Sequence, residues 1–99
     1  MRGIRFMLTF VSMEKIKKLL SDNRAEEALS LLDAYIDLHP EADEAWYLRG
    51  KAYYKLGNTR LALNNYLQAV ALNPESPARE AYDMAIEILD FYNKDLYNQ

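Results

Sequence analysis

Hydrophobic residues recur at intervals of three and four along most of the chain, which is the spacing of an α-helix that buries one face. This pattern predicts five helices, over residues 13–21, 24–38, 42–56, 59–72 and 77 to about 95. No stretch alternates hydrophobic and polar residues as a half-buried strand does. The breaks read SDNR, HPEA, GN and NPESP, which are typical of turns. The pattern therefore predicts an all-α protein in which consecutive helices lie antiparallel.

Part of the sequence repeats with a period of 34 residues. The segment NRAEEALSLLDAYIDLHPEA, residues 23–42, aligns with GNTRLALNNYLQAVALNPES, residues 57–76, so that Pro40 corresponds to Pro74. A period of about 34 residues that contains two helices is typical of a tetratricopeptide solenoid.

Residues 43–76 resemble the tetratricopeptide repeat family closely, because its signature residue types occur at Trp46, Gly50, Tyr53, Gly57, Ala62, Tyr66, Ala69 and Pro74. Arg49 departs from the family, which usually has leucine at that position. The preceding unit resembles the family less, since Ile16 and Tyr35 stand where small residues are usual.

The resemblance implies a right-handed solenoid of antiparallel helix hairpins, forming a single domain over residues 13–97. We expect an N-terminal arm, two repeats and a capping helix, over residues 1–12, 13–42, 43–76 and 77–96.

Two glycines lie in otherwise helical sequence, where each costs roughly 1 kcal/mol relative to alanine. Gly50 shares a helix face with Trp46 and Tyr53, so we predict that it allows two helices to approach closely. Gly57 ends the third helix, where a left-handed conformation satisfies the last carbonyls, and Asn23 occupies the equivalent position of the first unit.

Members of this family bind peptides or protein segments in a concave groove lined by the first helix of each hairpin. The resemblance implies that this groove is lined by Lys17, Glu44, Tyr47, Lys51, Tyr54, Lys55, Ala81, Ala85 and Ile88. A helical wheel independently places Tyr47, Lys51 and Tyr54 on a shared face.

Tyrosines interleaved with lysines suit an extended acidic or aromatic peptide, because tyrosine combines a large contact area with a polar tip. The alternative is that these are ordinary half-exposed helix residues. Some members grip a C-terminal carboxylate with lysine and asparagine, but here Lys17 and Lys51 stand where asparagine is needed. We therefore do not expect that ligand.

The last predicted helix has hydrophobic residues on more than one face. It either caps the solenoid and buries most of them, or leaves Met84, Ile86 and Phe91 free to form a homodimer. The chain is accordingly expected to be a monomer or a weak homodimer.

The composition of the chain argues against several classes of function. A net charge of −3 and a pI near 5.1 argue against binding to nucleic acid or to an anionic membrane. The chain has no cysteine and a single histidine, His39, and its carboxylates lie near no nucleophile or cofactor motif. We expect a non-catalytic adaptor without metal or cofactor.

The first twelve residues, MRGIRFMLTFVS, contain a hydrophobic run too short for a secretion signal or a membrane span. We therefore expect a cytoplasmic protein. Met13 begins the helical pattern, which makes it an alternative to Met1 as the native start.

Overall fold

The computed structural model describes residues 13–97 of the chain. These residues form five helices and no strand: α1 over residues 13–21, α2 over Ala25–Leu38, α3 over Asp43–Lys55, α4 over Thr59–Leu72 and α5 over Ala78–Tyr97. The predicted all-α class is confirmed, and every helix boundary within the described residues lies within two residues of its predicted position. The predicted arm and the choice between Met1 and Met13 lie outside the described residues.

Consecutive helices pack against each other, and their buried side chains form two clusters. The first joins α1, α2 and α3, with Ile16 and Leu32 fully buried at its centre. The second lies around Ala62, Tyr66 and Ala69 on α4 and Ala78 on α5. Trp46 and Tyr47 pack against both clusters, so α3 lies between the two halves of the core.

Gly50 lies where α3 and α4 pack together. A Cβ atom added at Gly50 would lie 2.5 Å from Cε1 of Tyr66 and 3.2 Å from the backbone oxygen of Ala62. Real Cβ atoms essentially never lie as close as 2.5 Å to such a neighbour, so only a hydrogen atom fits between the helix and the tyrosine ring. The predicted close approach is confirmed, and the tyrosine ring lies directly against the glycine.

The first helix of each hairpin ends in the same type of turn. Asn23 and Gly57 have φ angles of 61° and 83°, in the left-handed region. The N–H of Gly57 donates to the carbonyl of Tyr54, and the N–H of Asn58 to that of Tyr53. These two bonds define a Schellman motif, and equivalent bonds surround Asn23. The predicted left-handed turns are therefore confirmed in both units.

Arg49, the departure from the family pattern, connects three helices. Its Nη1 lies 2.9 Å from Oδ1 of Asp33 on α2, and its Nε donates to Oδ1 of Asn65 on α4. The guanidinium also lies 4.7 Å from the ring centre of Trp46, a cation–π contact. Arg49 thus stabilises the contact between the two hairpins.

Candidate functional site

Six of the predicted groove residues lie on α1 and α3, and we refer to them as the tyrosine–lysine face: Lys17, Glu44, Tyr47, Lys51, Tyr54 and Lys55.

An ion pair joins the two helices at one end of this face. Nζ of Lys17 on α1 lies 2.8 Å from Oε1 of Glu44 on α3, and both side chains are about half exposed. The hydrogen bond that Lys17 donates to the Glu44 carboxylate, together with the negative charge of Glu44, raises the pKa of Lys17. Lys17 is therefore a charged group that already has a protein partner.

Lys51 has a different environment. Its Nζ lies 5.3 Å from the ring centre of Tyr47, within the range of a cation–π contact. The Tyr47 ring in turn lies 6.1 Å from the ring of Tyr66 on α4. Both Tyr47 and Lys51 are only partly exposed, so packing restricts their positions. At the centre of the face, therefore, contacts with neighbouring residues restrict the conformations of the side chains.

Tyr66 extends this arrangement beneath the face. Its side chain is buried, and burial, followed by the influence of Tyr47 and Tyr54, raises its pKa to about 12. Its hydroxyl group therefore keeps its proton at neutral pH. In the sequence Tyr66 stands out only as a residue of the family signature, because its proximity to Tyr47 depends on how α4 packs against α3.

The other end of the face is open to solvent. Tyr54 and Lys55 are exposed at the end of α3. Within residues 13–92, neither Lys51 nor Lys55 has a carboxylate within 4.0 Å, whereas Lys17 has two, from Glu44 and Glu14.

The three predicted groove residues of α5 differ in their exposure to solvent. Ala85 is buried and its side chain offers no contact surface, Ala81 is partly exposed, and Ile88 is 42% exposed.

The predicted self-association residues also lie on α5. Met84 and Phe91 are 63% and 73% exposed, and Ile86 is partly buried. Ala78, Ala81 and Tyr82 of this helix pack with the buried residues of α4, and Ala85 is also buried. Within residues 78–92, five large hydrophobic side chains are exposed, contrary to the alternative in which capping buries most of them: Met84, Ile88, Leu89, Phe91 and Tyr92.

His39 lies in the turn after α2, with its Nδ1 3.8 Å from a carboxylate oxygen of Glu41. The part of the chain that the structure describes contains no group of three histidine, cysteine, aspartate or glutamate residues arranged to hold a metal ion. In that same part, no helix has the length and hydrophobicity needed to cross a membrane.

Comparison with known proteins identifies the fold. The sequence model described as Tetratricopeptide repeat matches residues 43–76. The TPR repeat-containing protein MJ1428 of Methanocaldococcus jannaschii is 37% identical over 49 residues, which are 50% of this chain and 8% of that protein. The chain thus spans less than a tenth of this curated relative.

A solved structure is similar over most of the chain. The solution NMR structure of Bacteroides fragilis protein BF1650 is 49% identical in sequence, with a TM-score of 0.77. The similarity covers 87% of this chain and 88% of that one. Together with the repeat match and the two hairpins, it shows that this chain belongs to the tetratricopeptide repeat family.

Proposed function

We propose that this chain is a non-catalytic adaptor that binds a peptide or protein segment on the tyrosine–lysine face. Tetratricopeptide repeats generally mediate protein–protein interaction. The observation that carries the proposal is the arrangement of Tyr47 and Lys51, which contact each other beside the exposed Tyr54. Side chains whose positions are already restricted by packing, as those of Tyr47 and Lys51 are, lose less entropy when a ligand binds.

The chemistry of the face favours a peptide with acidic or aromatic residues. Tyrosine rings offer contact area and a hydroxyl group, and an ammonium group binds carboxylates or aromatic ring faces. Ile88 on α5, which the resemblance assigns to the same groove, is exposed and would offer a hydrophobic contact to a longer segment.

Tyr54→Ala tests this proposal. A peptide array is incubated with the purified chain, and each peptide that binds is measured again with the variant. We expect Tyr54→Ala to weaken binding at least tenfold without changing the helical circular dichroism. Leu67→Ala, a substitution of another exposed hydrophobic residue on α4, is the control and should bind normally. An array in which no peptide depends on Tyr54 contradicts the proposal.

A second function, self-association through α5, is favoured by the exposure of Met84 and Phe91. Sedimentation equilibrium over a wide concentration range should then show a homodimer. The double variant Met84→Glu and Phe91→Glu should be a folded monomer. Leu38→Glu with Leu67→Glu removes two other exposed hydrophobic residues and should leave the dimer intact. A mass that stays monomeric at every concentration rejects this function.

A further inference from the structure

The lysines of the tyrosine–lysine face are not equivalent. Lys17 has a carboxylate partner at 2.8 Å in Glu44 and a second in Glu14 at 4.0 Å. Lys51 instead lies over the ring of Tyr47, and no carboxylate of residues 13–92 lies within 4.0 Å of it. A ligand carboxylate that approaches Lys17 must displace Glu44 and meets its negative charge. At Lys51 it meets neither obstacle.

The surroundings of Lys51 also favour a carboxylate. Lys51 and Lys55 lie four residues apart on α3, so their side chains emerge from adjacent turns of one face. Tyr47 and Tyr54 belong to this face, and the ring of the buried Tyr66 lies 6.1 Å from that of Tyr47. Ammonium groups donate hydrogen bonds without accepting them, and neutral phenols can donate, so the group they bind best is an anionic acceptor.

We infer that this face binds an acidic side chain of a peptide at Lys51 and Lys55, and that Glu44 prevents a second acidic side chain from binding at Lys17. The inference rests on the proposed peptide-binding function and assigns its charge selectivity. Glu44 is thus a specificity-determining residue that acts by pairing with Lys17.

The distance between Glu44 and Lys51 predicts how far apart two glutamates of a peptide must be for Glu44 to affect the second one. Glu44 and Lys51 are seven residues apart on α3, or about 10 Å at about 1.5 Å per residue. An extended polyproline-type peptide rises about 3.1 Å per residue and returns to the same side every third residue, so three residues span about 9 Å. On an extended peptide that runs along α3, a second glutamate three positions from the first would therefore lie opposite Glu44.

The test uses synthetic nine-residue peptides of alanine and proline with leucine at each end, titrated at millimolar concentration and followed by NMR. One carries a central glutamate, two carry a further glutamate three positions before or after it, and matched peptides carry glutamine throughout. In the parent protein we expect the central glutamate to strengthen binding over glutamine and the second glutamate to add nothing. With Glu44→Gln, one of the two-glutamate peptides should bind about threefold more tightly, the scale of a partly exposed ion pair.

Three variants test whether the effect belongs to Lys51 and to the Lys17–Glu44 pair, rather than to the net charge of the protein. Lys51→Gln should weaken binding of the single-glutamate peptide about fivefold, and Lys17→Gln should leave it unchanged. Glu41→Gln removes one negative charge outside the face and should not reproduce the gain of Glu44→Gln.

The remaining outcomes overturn the inference. Equal effects of Lys17→Gln and Lys51→Gln do so, as does a Glu44→Gln protein that gains nothing. Equal binding of the glutamate and glutamine peptides, lost in Tyr54→Ala, overturns this inference but supports the peptide-binding proposal. Failure of every peptide to bind overturns the inference, and the peptide-binding proposal falls separately if the array also finds no Tyr54-dependent ligand.

Discussion

Nε of Arg49 on α3 donates a hydrogen bond of 2.8 Å to Oδ1 of Asn65 on α4. Asn65 is 5% exposed, and its amide nitrogen donates to the backbone carbonyl of Leu61. Arg49 also pairs with Asp33 on α2, 16 residues earlier in the chain. A residue type unusual for the family thus satisfies a buried polar group of α4 and connects it to the preceding hairpin.

Arg49→Leu restores the residue usual in the family and is nevertheless expected to destabilise this chain. It leaves Oδ1 of Asn65 without its hydrogen bond, at a cost of about 1–3 kcal/mol in the free energy of unfolding. Urea denaturation measures this change. Arg49→Leu combined with Asn65→Leu should cost less than the sum of the two single substitutions, and simple additivity would show that the two side chains do not interact.

Gly50→Ala should destabilise the fold by about 2 kcal/mol or more, because the added Cβ lies against the ring of Tyr66. Thermal unfolding measures the loss. Gly50→Ala should be less harmful in a Tyr66→Leu background, where the ring is absent. An alanine tolerated equally in both backgrounds would contradict the close contact.

Asn23→Gly should stabilise the chain by about 0.5–1 kcal/mol, because glycine adopts the left-handed conformation of Asn23 without steric cost. Gly57→Ala, at the equivalent turn, should destabilise by about 1 kcal/mol for the converse reason. Both are measured by urea denaturation. No side chain crowds Gly57, so a loss there reports backbone conformation alone.

The pKa of Tyr66 predicts a pH dependence of stability. Burial raises it from 10.0 to about 12 in the folded state, so the folded protein holds this proton more tightly than the unfolded chain. The resulting stability is complete below pH 10 and is lost as the pH rises from about 10 to 12. Denaturation of the parent and of Tyr66→Phe across this range measures the difference, and two parallel pH profiles would contradict the raised pKa.

The parts of the fold that depend on local sequence were predictable. Gly57 and Asn23 identify their turns because few residues adopt positive φ, and Gly50 follows from its place between aromatic residues on one helix face. The Lys17–Glu44 pair was not predictable, although both residues were assigned to the face. Their separation of 27 residues means that only the packing of α1 against α3 fixes the distance between them.

The exposure of α5 shows a different limit. A broad hydrophobic arc on a helix predicts that the helix is covered. The sequence does not show whether other helices of the chain or a second molecule cover it. The small residues that pack on α4 and the large ones that remain exposed have the same helical spacing. Packing against a neighbouring helix decides between them.

The position of α3 between the two hydrophobic clusters determines how the chain unfolds. Trp46 and Tyr47 contact both clusters, so any opening that releases α3 exposes the two halves of the core together. Helices in solenoids depend on their nearest neighbours, and among the five helices of residues 13–97, α3 has residues that pack against both clusters. We therefore expect the amide hydrogens of α3 to exchange with solvent most slowly, and the two hairpins to unfold together.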